Sequence, residues 1–323
     1  MAVYTEVSAS DARALVARLS LGELTALEPV AGGIENTNYF VDTTSGRYVL
    51  TLFERLTHDQ LPFYLALMKH LADRGLPVPA PHADAVGAIL LTVNGKPAAM
   101  VDRLPGAHVM APDAPHCAQM GAMLARVHLA AADCVLVQPN LRGLAWWTET
   151  VPVVRPFLDA AQRDLIDSEL AFAQQVAASG AHAGLPRGPI HADLFRDNVM
   201  FEERGGADVL CGLFDFYFAG VDAFLFDIAV CLNDWCIDLA SGRLAEDRAA
   251  AFVAAYDRVR ALTVAERRLL PALMRAAALR FWISRLWDLH LPRDASVLKA
   301  HDPGHFERVL RERAAAPWHP FSA

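Results

Sequence analysis

The sequence predicts an α+β protein of two lobes. Residues 1–104 form an N-terminal lobe with an antiparallel β-sheet and one main helix, and residues 105–323 form a mostly helical C-terminal lobe. Two observations lead to this plan. Strand-like segments separated by turns fill the first third of the chain, and helical periodicity dominates after Pro105-Gly106. Apolar residues make up 54% of the chain and charged residues 20%, which is enough apolar material for a core in each lobe.

The N-terminal lobe contains five segments with strand character. They are residues 27–33, 38–42, 47–53, 88–93 and 97–104. The second and third are joined by Thr43-Thr44-Ser45-Gly46, and the last two by Asn94-Gly95, both typical of hairpin turns. Between the hairpins, apolar residues at helical spacing over 61–71 predict the main helix, with a capping box at Thr57–Gln60 and a stop at Gly75.

The C-terminal lobe begins with helical patterns at residues 116–132 and 162–178. Two short strands, 198–201 and 209–214, follow and are joined by a polar turn at 202–206. From Asp222 onwards the pattern is almost wholly helical. This arrangement predicts a helical lobe that holds one small hairpin.

Charge and composition exclude several classes of protein. The formal net charge is −8 and no Lys/Arg run is present, so we expect no nucleic-acid partner. The most apolar stretch, residues 209–237, is interrupted by four aspartates and cannot span a bilayer. Glu6 and Asp11 do not suit a signal peptide, and the five scattered cysteines indicate reduced thiols. We therefore expect a soluble, cytoplasmic protein.

The segment HADLFRDN, residues 191–198, carries the clearest chemical signal. It has the form HxDxxxxN, and Asp215 follows 17 residues later, at the end of an apolar strand. Phosphoryl transfer needs one carboxylate to align the attacking hydroxyl, and oxygen ligands for the metal that neutralises the phosphates. The loop–strand–turn–strand pattern is expected to bring Asp193, Asn198 and Asp215 to one edge of the hairpin.

These residues resemble the aminoglycoside-phosphotransferase-like kinases, which share the protein-kinase-like two-lobed fold. Within this superfamily the chain is most similar to the bacterial homoserine kinases. The similarity is carried by GGIENTNYFV (32–41), YVLTLFERL (48–56), HADLFRDNVMF (191–201), FDFYFA (214–219) and LFDIAVCLNDW (225–235). It implies transfer of the ATP γ-phosphate to the side-chain hydroxyl of L-homoserine, a step towards threonine.

The resemblance implies a role for each residue of the loop. Asp193 is the catalytic aspartate, which orients the hydroxyl and accepts its proton late. Asn198 and Asp215 hold Mg²⁺ or Mn²⁺. His191 is a structural brace rather than a general base, and Asp227 anchors the catalytic loop.

The resemblance also indicates where ATP binds. Gly32 and Gly33 take the place of the kinase phosphate loop, where small residues allow backbone N–H groups to approach phosphates. Met100, Asp102 and Leu104 belong to the hinge that meets adenine. The sequence departs from protein kinases at Thr51, which lies where their phosphate-binding lysine is expected, and Arg55 or Arg196 is a candidate for the missing positive charge.

An amino-acid acceptor needs an anion near its ammonium group and a cation near its carboxylate. Asp222 and Asp234, placed on the predicted helix with Asp227, are the candidates for the ammonium group. A solvated acidic face is the alternative interpretation. Arg196 is the candidate for the acceptor carboxylate or the γ-phosphate, with an exposed loop arginine as the alternative.

Two other functions are open at the level of sequence. The acceptor could be another small amino alcohol, such as choline, ethanolamine or an aminoglycoside; a choline site would favour an aromatic cage. The chain could also be a catalytically silent kinase-like binding protein, an alternative suggested by Thr51. The presence of Asp193, Asn198 and Asp215 argues against that reading.

Overall fold

The computed structural model describes residues 5–30, 36–291 and 301–321. The chain forms two compact units: residues 1–106 with 211–217, and residues 107–210 with 218–323. Gly32 and Gly33, the predicted phosphate-loop glycines, lie outside the described residues. The predicted combination of an antiparallel sheet in the N-terminal part and helices in the C-terminal part is confirmed.

The first unit is built on a five-stranded sheet with the order β1-β2-β3-β5-β4. All neighbouring strands are antiparallel. Their bounds are β1 Leu24–Pro29, β2 Asn36–Thr43, β3 Arg47–Phe53, β4 Leu91–Val93 and β5 Lys96–Asp102. Alternate side chains of β2 are buried, whereas most of β3 and β5 is buried on both faces. Leu50, Leu52 and Met100 lie in the same apolar core.

Two helices belong to this unit. Helix α1, Ala9–Arg18, was not predicted, and it begins at Ser8, whose side chain forms a capping box with Asp11. Helix α2, Pro62–Ala72, begins later than the predicted capping box, because Thr57 and Gln60 bond to each other in a turn before it.

The second unit is mostly helical. Its helices are α3 Ala114–Ala130, α4 Leu144–Val154, α5 Ala160–Ala177, α6 Gly180–Ala183, α7 Phe224–Trp235, α8 Glu246–Val259, α9 Val264–His290 and α10 Gly304–Ala315. Every residue of α7 is buried, and α9 packs against α4, α5, α7 and α10. Helix α3 packs against α8, where a Cβ on Gly121 would lie 2.1 Å from the Phe252 carbonyl oxygen.

Two small sheets position the loop of interest. Strand β6, Arg187–Ile190, pairs antiparallel with β9, Gly220–Ala223, and β7, Val199–Arg204, pairs with β8, Ala207–Leu213. The sequence predicted the second pair and missed the first. The predicted placement of Asp222 on a helix is therefore wrong: Asp222 lies on β9, before α7 begins at Phe224.

Candidate active site

The loop His191–Asn198 joins β6 to β7 and ends in a short 3-10 helix, Arg196–Asn198. Ala192 has a φ of +65°, a left-handed conformation that is unusual for a residue other than glycine. The backbone carbonyl of Asp193 accepts hydrogen bonds from the Phe195 amide at 2.9 Å and from Asn198 Nδ2 at 2.8 Å. The loop is therefore closed on itself around Asp193, whose side chain is 16% exposed.

Asp227 of α7 holds the start of this loop. Its Oδ2 accepts the backbone N–H of His191 at 2.8 Å, and its Oδ1 accepts that of Ala192, also at 2.8 Å. The Asp227 side chain is fully buried. A strained backbone persists only where its surroundings fix it, and these two bonds fix the backbone at the left-handed residue. His191 is also buried, and its Nδ1 lies 3.3 Å from the Asp193 backbone nitrogen.

Behind Asp227 lies a second buried group, His128 of α3. Its Nε2 lies 3.1 Å from Asp227 Oδ2, and its Nδ1 lies 2.6 Å from the Tyr256 hydroxyl. Burial lowers the pKa of His128, although Asp227 opposes the shift, so the imidazole is neutral at physiological pH. A neutral ring that donates through Nε2 to Asp227 must accept the Tyr256 hydroxyl proton at Nδ1.

The same contacts keep Asp227 ionised. Burial alone raises the pKa of a carboxylate, but the hydrogen bonds from His128 and from the His191 backbone bring the pKa of Asp227 below its ordinary value. The chain from Tyr256 through His128 to Asp227 is a satisfied polar network inside an apolar core. It supports the loop that carries Asp193.

Arg280 of α9 faces Asp193. Its Nη1 lies 4.0 Å from Asp193 Oδ1, and the Arg280 side chain is 3% exposed. Its guanidinium stacks on the Phe281 ring at 3.7 Å and lies 5.2 Å from the Phe218 ring centroid. Burial lowers the pKa of Arg280 to about 10, while the Asp193 carboxylate opposes the shift. Arg280 therefore remains a cation at neutral pH.

Arg196 and Asp234, two of the predicted substrate-binding residues, are bonded to each other. Both are buried, and Arg196 donates to Asp234 Oδ2 through its backbone nitrogen at 2.8 Å and through Nε at 3.0 Å. Arg196 Nη2 donates to the Asp234 backbone carbonyl, and Nη1 donates to the Met110 carbonyl at 3.0 Å. In this arrangement the pair fastens the loop His191–Asn198 to the end of α7.

Asp222, the other predicted ammonium ligand, also has protein partners. Its Oδ1 accepts from Arg187 Nη1 and its Oδ2 from Asn140 Nδ2, both at 3.0 Å. It pairs with Gly188 in the β6–β9 sheet, five residues before Asp193 along the chain. The three polar residues lie on the wall of a mainly apolar cavity of about 310 Å³.

The predicted metal ligands, Asn198 and Asp215, both offer oxygen donors. Asn198 Nδ2 is used in the bond to the Asp193 carbonyl, so its Oδ1 is the atom suited to a cation. Asp215 has a φ of +64°, so it is left-handed like Ala192, although neither residue is glycine. A carboxylate and an amide oxygen suit Mg²⁺, which commonly takes few protein ligands and completes its shell with phosphate oxygens and water.

The predicted adenine-binding residues lie at the end of β5 and just beyond it. The Met100 side chain belongs to the core, and its carbonyl accepts the His82 backbone N–H at 2.9 Å. Asp102 Oδ1 lies 2.6 Å from His82 Nε2, and Leu104 follows the strand, partly buried. On β3, Thr51 donates to Asn38 Oδ1 at 2.8 Å. A neutral cross-strand pair therefore occupies the position of the kinase lysine.

Sequence reasoning missed His128 and Arg280. Neither lies in a motif, and both acquire their partners through packing between helices. Arg280 did leave one signal, because it interrupts the apolar run AAALRFWI, residues 276–283. A charged residue within a run of this kind is buried with the helix face, and a buried charge normally has a specific purpose.

Comparison with known proteins identifies the family of the chain. Residues 26–262 match the model of the phosphotransferase enzyme family. The chain is 65% identical over 318 residues to a homoserine kinase of Polaromonas naphthalenivorans, covering 98% of this chain and 99% of the relative. It is 55% identical to a homoserine kinase of Cupriavidus pinatubonensis over 98% and 97% of the two chains.

Solved structures show the same fold. The amicoumacin kinase hAmiN, in complex with AMP-PNP, Ca²⁺ and Ami, superposes with a TM-score of 0.68 over 96% of this chain and 95% of its own, at 16% identity. Across the described residues, no helix is both long and apolar enough to cross a membrane. The chain is 65% and 55% identical, over nearly its whole length, to the two homoserine kinases named above. It therefore belongs to the homoserine kinases of the phosphotransferase enzyme family.

Proposed function

We propose that the chain transfers the γ-phosphoryl group of ATP to the side-chain hydroxyl of L-homoserine, yielding O-phospho-L-homoserine and ADP on the route to threonine. The choice of L-homoserine as the acceptor rests on the 65% identity, over nearly the whole chain, to a homoserine kinase. Because ATP and free amino acids are cytoplasmic substrates, the enzyme acts in the cytoplasm. The loop around Asp193 supports the reaction type.

Asp193 orients the acceptor hydroxyl and accepts its proton. Its carboxylate accepts a hydrogen bond from the homoserine hydroxyl and directs the oxygen towards the γ-phosphorus. As the new P–O bond forms, the bond to the β,γ-bridging oxygen breaks, ADP departs, and Asp193 takes the hydroxyl proton. Asp227 and His128 keep the loop in place through the bonds to the His191 and Ala192 amides.

Mg²⁺ would be held by the oxygens of Asn198 and Asp215, with Mn²⁺ as a substitute. When bound, the metal neutralises phosphate charge. Residues 1–104 form the nucleotide-binding lobe, in which Met100, Asp102 and Leu104 meet adenine. Residues 105–323 form the catalytic and acceptor-binding lobe.

A coupled ADP-release assay tests the function. Purified protein with Mg·ATP is given L-homoserine, L-serine, choline, ethanolamine or kanamycin, and Asp193→Asn serves as the blank. We expect saturable turnover with L-homoserine and a drop of at least ~10³-fold in Asp193→Asn with little change in the KM for ATP. Turnover with one of the other compounds but not with L-homoserine would contradict the proposed acceptor. Near-normal turnover of Asp193→Asn would contradict the proposed role of the Asp193 carboxylate.

A further inference from the structure

The guanidinium group of Arg280 carries two buried hydrogen-bond donors. Its Nε and Nη2 atoms are buried and without a hydrogen-bond partner among the residues that the structure describes. A buried charge whose donors are unpaired is costly, and native proteins keep such groups mainly where function requires them. The unpaired donors of Arg280 therefore point to a ligand.

A second arginine on the same helix indicates what that ligand is. Arg275 stacks on Phe172 at 3.6 Å, much as Arg280 stacks on Phe281 at 3.7 Å. Arg275 uses Nε and Nη2 to hold the two oxygens of Glu169 at 2.9 and 2.7 Å. These two atoms form one edge of the guanidinium, and that edge matches the two oxygens of a carboxylate. In Arg280 the same edge has no carboxylate from the described protein.

The position of Arg280 connects this edge with the reacting group. Its Nη1 lies 4.0 Å from Asp193 Oδ1, which is too long for a hydrogen bond but close enough for one small molecule to contact both residues. In homoserine, four single bonds separate the carboxyl carbon from the hydroxyl oxygen, a span of about 5 Å at about 1.5 Å per bond. The acceptor hydroxyl at Asp193 thus brings its carboxylate within reach of Arg280.

The predicted carboxylate ligand, Arg196, is engaged elsewhere. Its Nε, Nη1 and Nη2 donate to Asp234 and to the Met110 carbonyl. Arg142 lies near the same aromatic ring as Arg280, because their guanidinium carbons are 6.0 and 5.2 Å from the Phe218 ring centroid. The buried guanidinium of Arg280, 4.0 Å from Asp193, favours an anionic group on the acceptor.

We propose that Arg280 binds the α-carboxylate of the amino-acid acceptor through its Nε and Nη2 edge and thereby selects amino acids over simple amino alcohols. The inference rests on the proposed function, since it assigns a binding group for that acceptor. Both donor atoms are covered by protein, so binding requires neighbouring side chains, Phe218 and Phe281 among them, to move apart.

The test compares two acceptors that differ only in the carboxylate. L-Homoserine and 3-aminopropan-1-ol are assayed with the wild-type protein, Arg280→Met, Arg280→Lys and the control Arg275→Met. For Arg280→Met we expect kcat/KM for L-homoserine to fall by ~10²–10³-fold, mainly through KM, because one partner of a buried charge pair is lost. For 3-aminopropan-1-ol, the kcat/KM of Arg280→Met should differ from that of the wild type by less than about threefold. The control Arg275→Met should keep the wild-type preference for L-homoserine over 3-aminopropan-1-ol.

Competitive inhibition gives the same comparison with compounds that lack the hydroxyl and are therefore not phosphorylated. The inhibition constant of L-2-aminobutyrate, which has the carboxylate, should rise in both Arg280 variants, and that of propylamine should not. Circular dichroism confirms folding, and Arg280→Lys, which keeps the charge but loses the paired edge, covers the case in which the Met variant does not fold.

An equal fall for both acceptors, or equal changes for both inhibitors, would overturn the proposal and place Arg280 at the phosphoryl group or at Asp193. A wild-type enzyme that phosphorylates other acceptors but not L-homoserine would instead overturn the proposed function. The two failures are therefore distinct.

Discussion

Asp227→Asn should destabilise the protein far more than the loss of one charge suggests. Among the described residues, three hydrogen-bond donors face the Asp227 carboxylate: the backbone amides of His191 and Ala192, and His128 Nε2. An asparagine keeps one acceptor oxygen and places an NH₂ group against the remaining donors. At least one charge-assisted hydrogen bond is lost and a buried donor is left unpaired, which together cost about 3–5 kcal/mol.

Urea unfolding followed by circular dichroism measures this cost. Asp238→Asn is the matched control, because Asp238 also accepts from a backbone amide and a hydroxyl, those of Ser241, but is exposed to water. The control should unfold almost as the wild type does. If the free energy of unfolding of Asp227→Asn lies within ~1 kcal/mol of the wild-type value, the claim that the buried carboxylate holds the loop is refuted.

Three further predictions concern packing and charge. Arg280→Met should unfold at the same temperature as the wild type or higher, because it removes a buried charge whose Nε and Nη2 donors lack acceptors among the described residues. Arg275→Met should unfold at a lower temperature, because it removes a buried pair with Glu169; the reverse order in a thermal scan would contradict the assignment. Gly121→Ala should cost at least ~2 kcal/mol in urea, because its Cβ would meet the Phe252 carbonyl, and a neutral effect would exclude that close approach. Burial lowers the pKa of His128 below 6.5, so the unfolded chain takes up a proton that the folded chain does not, and the urea midpoint should fall as the pH drops below about 6.5; a constant midpoint from pH 7.5 to 5 would contradict a buried neutral imidazole.

Local pattern was sufficient for the sheet of the first unit. Strand β3 was predicted with its observed bounds, Arg47–Phe53, because alternation and a hairpin turn are both local signals. Helix α1 was missed although Ser8 and Asp11 form a capping box, since the region was interpreted as strand-rich. Strand β4 is only Leu91–Val93, shorter than predicted.

Long-range pairing explains what the sequence did not predict. Asp222 lies on β9 because that strand pairs with β6, more than 30 residues away along the chain, and a four-residue segment carries little pattern of its own. The Arg196–Asp234 pair joins residues 38 apart. Arg280 approaches Asp193 only through the packing of α9, so no motif indicated it.

Motif spacing was informative about chemistry but not about partners. The HxDxxxxN pattern identified Asp193 and Asn198 as neighbours, and the structure joins them through the Asn198 bond to the Asp193 carbonyl. The catalytic and metal-binding roles of these residues stay predictions. Which arginine meets the acceptor depends on which guanidinium is left unpaired after folding, a property that spacing does not encode.

The central claim is that this chain phosphorylates the side-chain hydroxyl of L-homoserine, and identification of the product tests it most directly. The purified protein is incubated with Mg·ATP and L-homoserine, and the products are followed by ³¹P NMR with proton coupling. We expect one new phosphomonoester signal coupled to the two protons of the terminal methylene, formed in equal amount with ADP. Inorganic phosphate as the only product, or a phosphorus atom attached to the amine or the carboxylate, would contradict the claim.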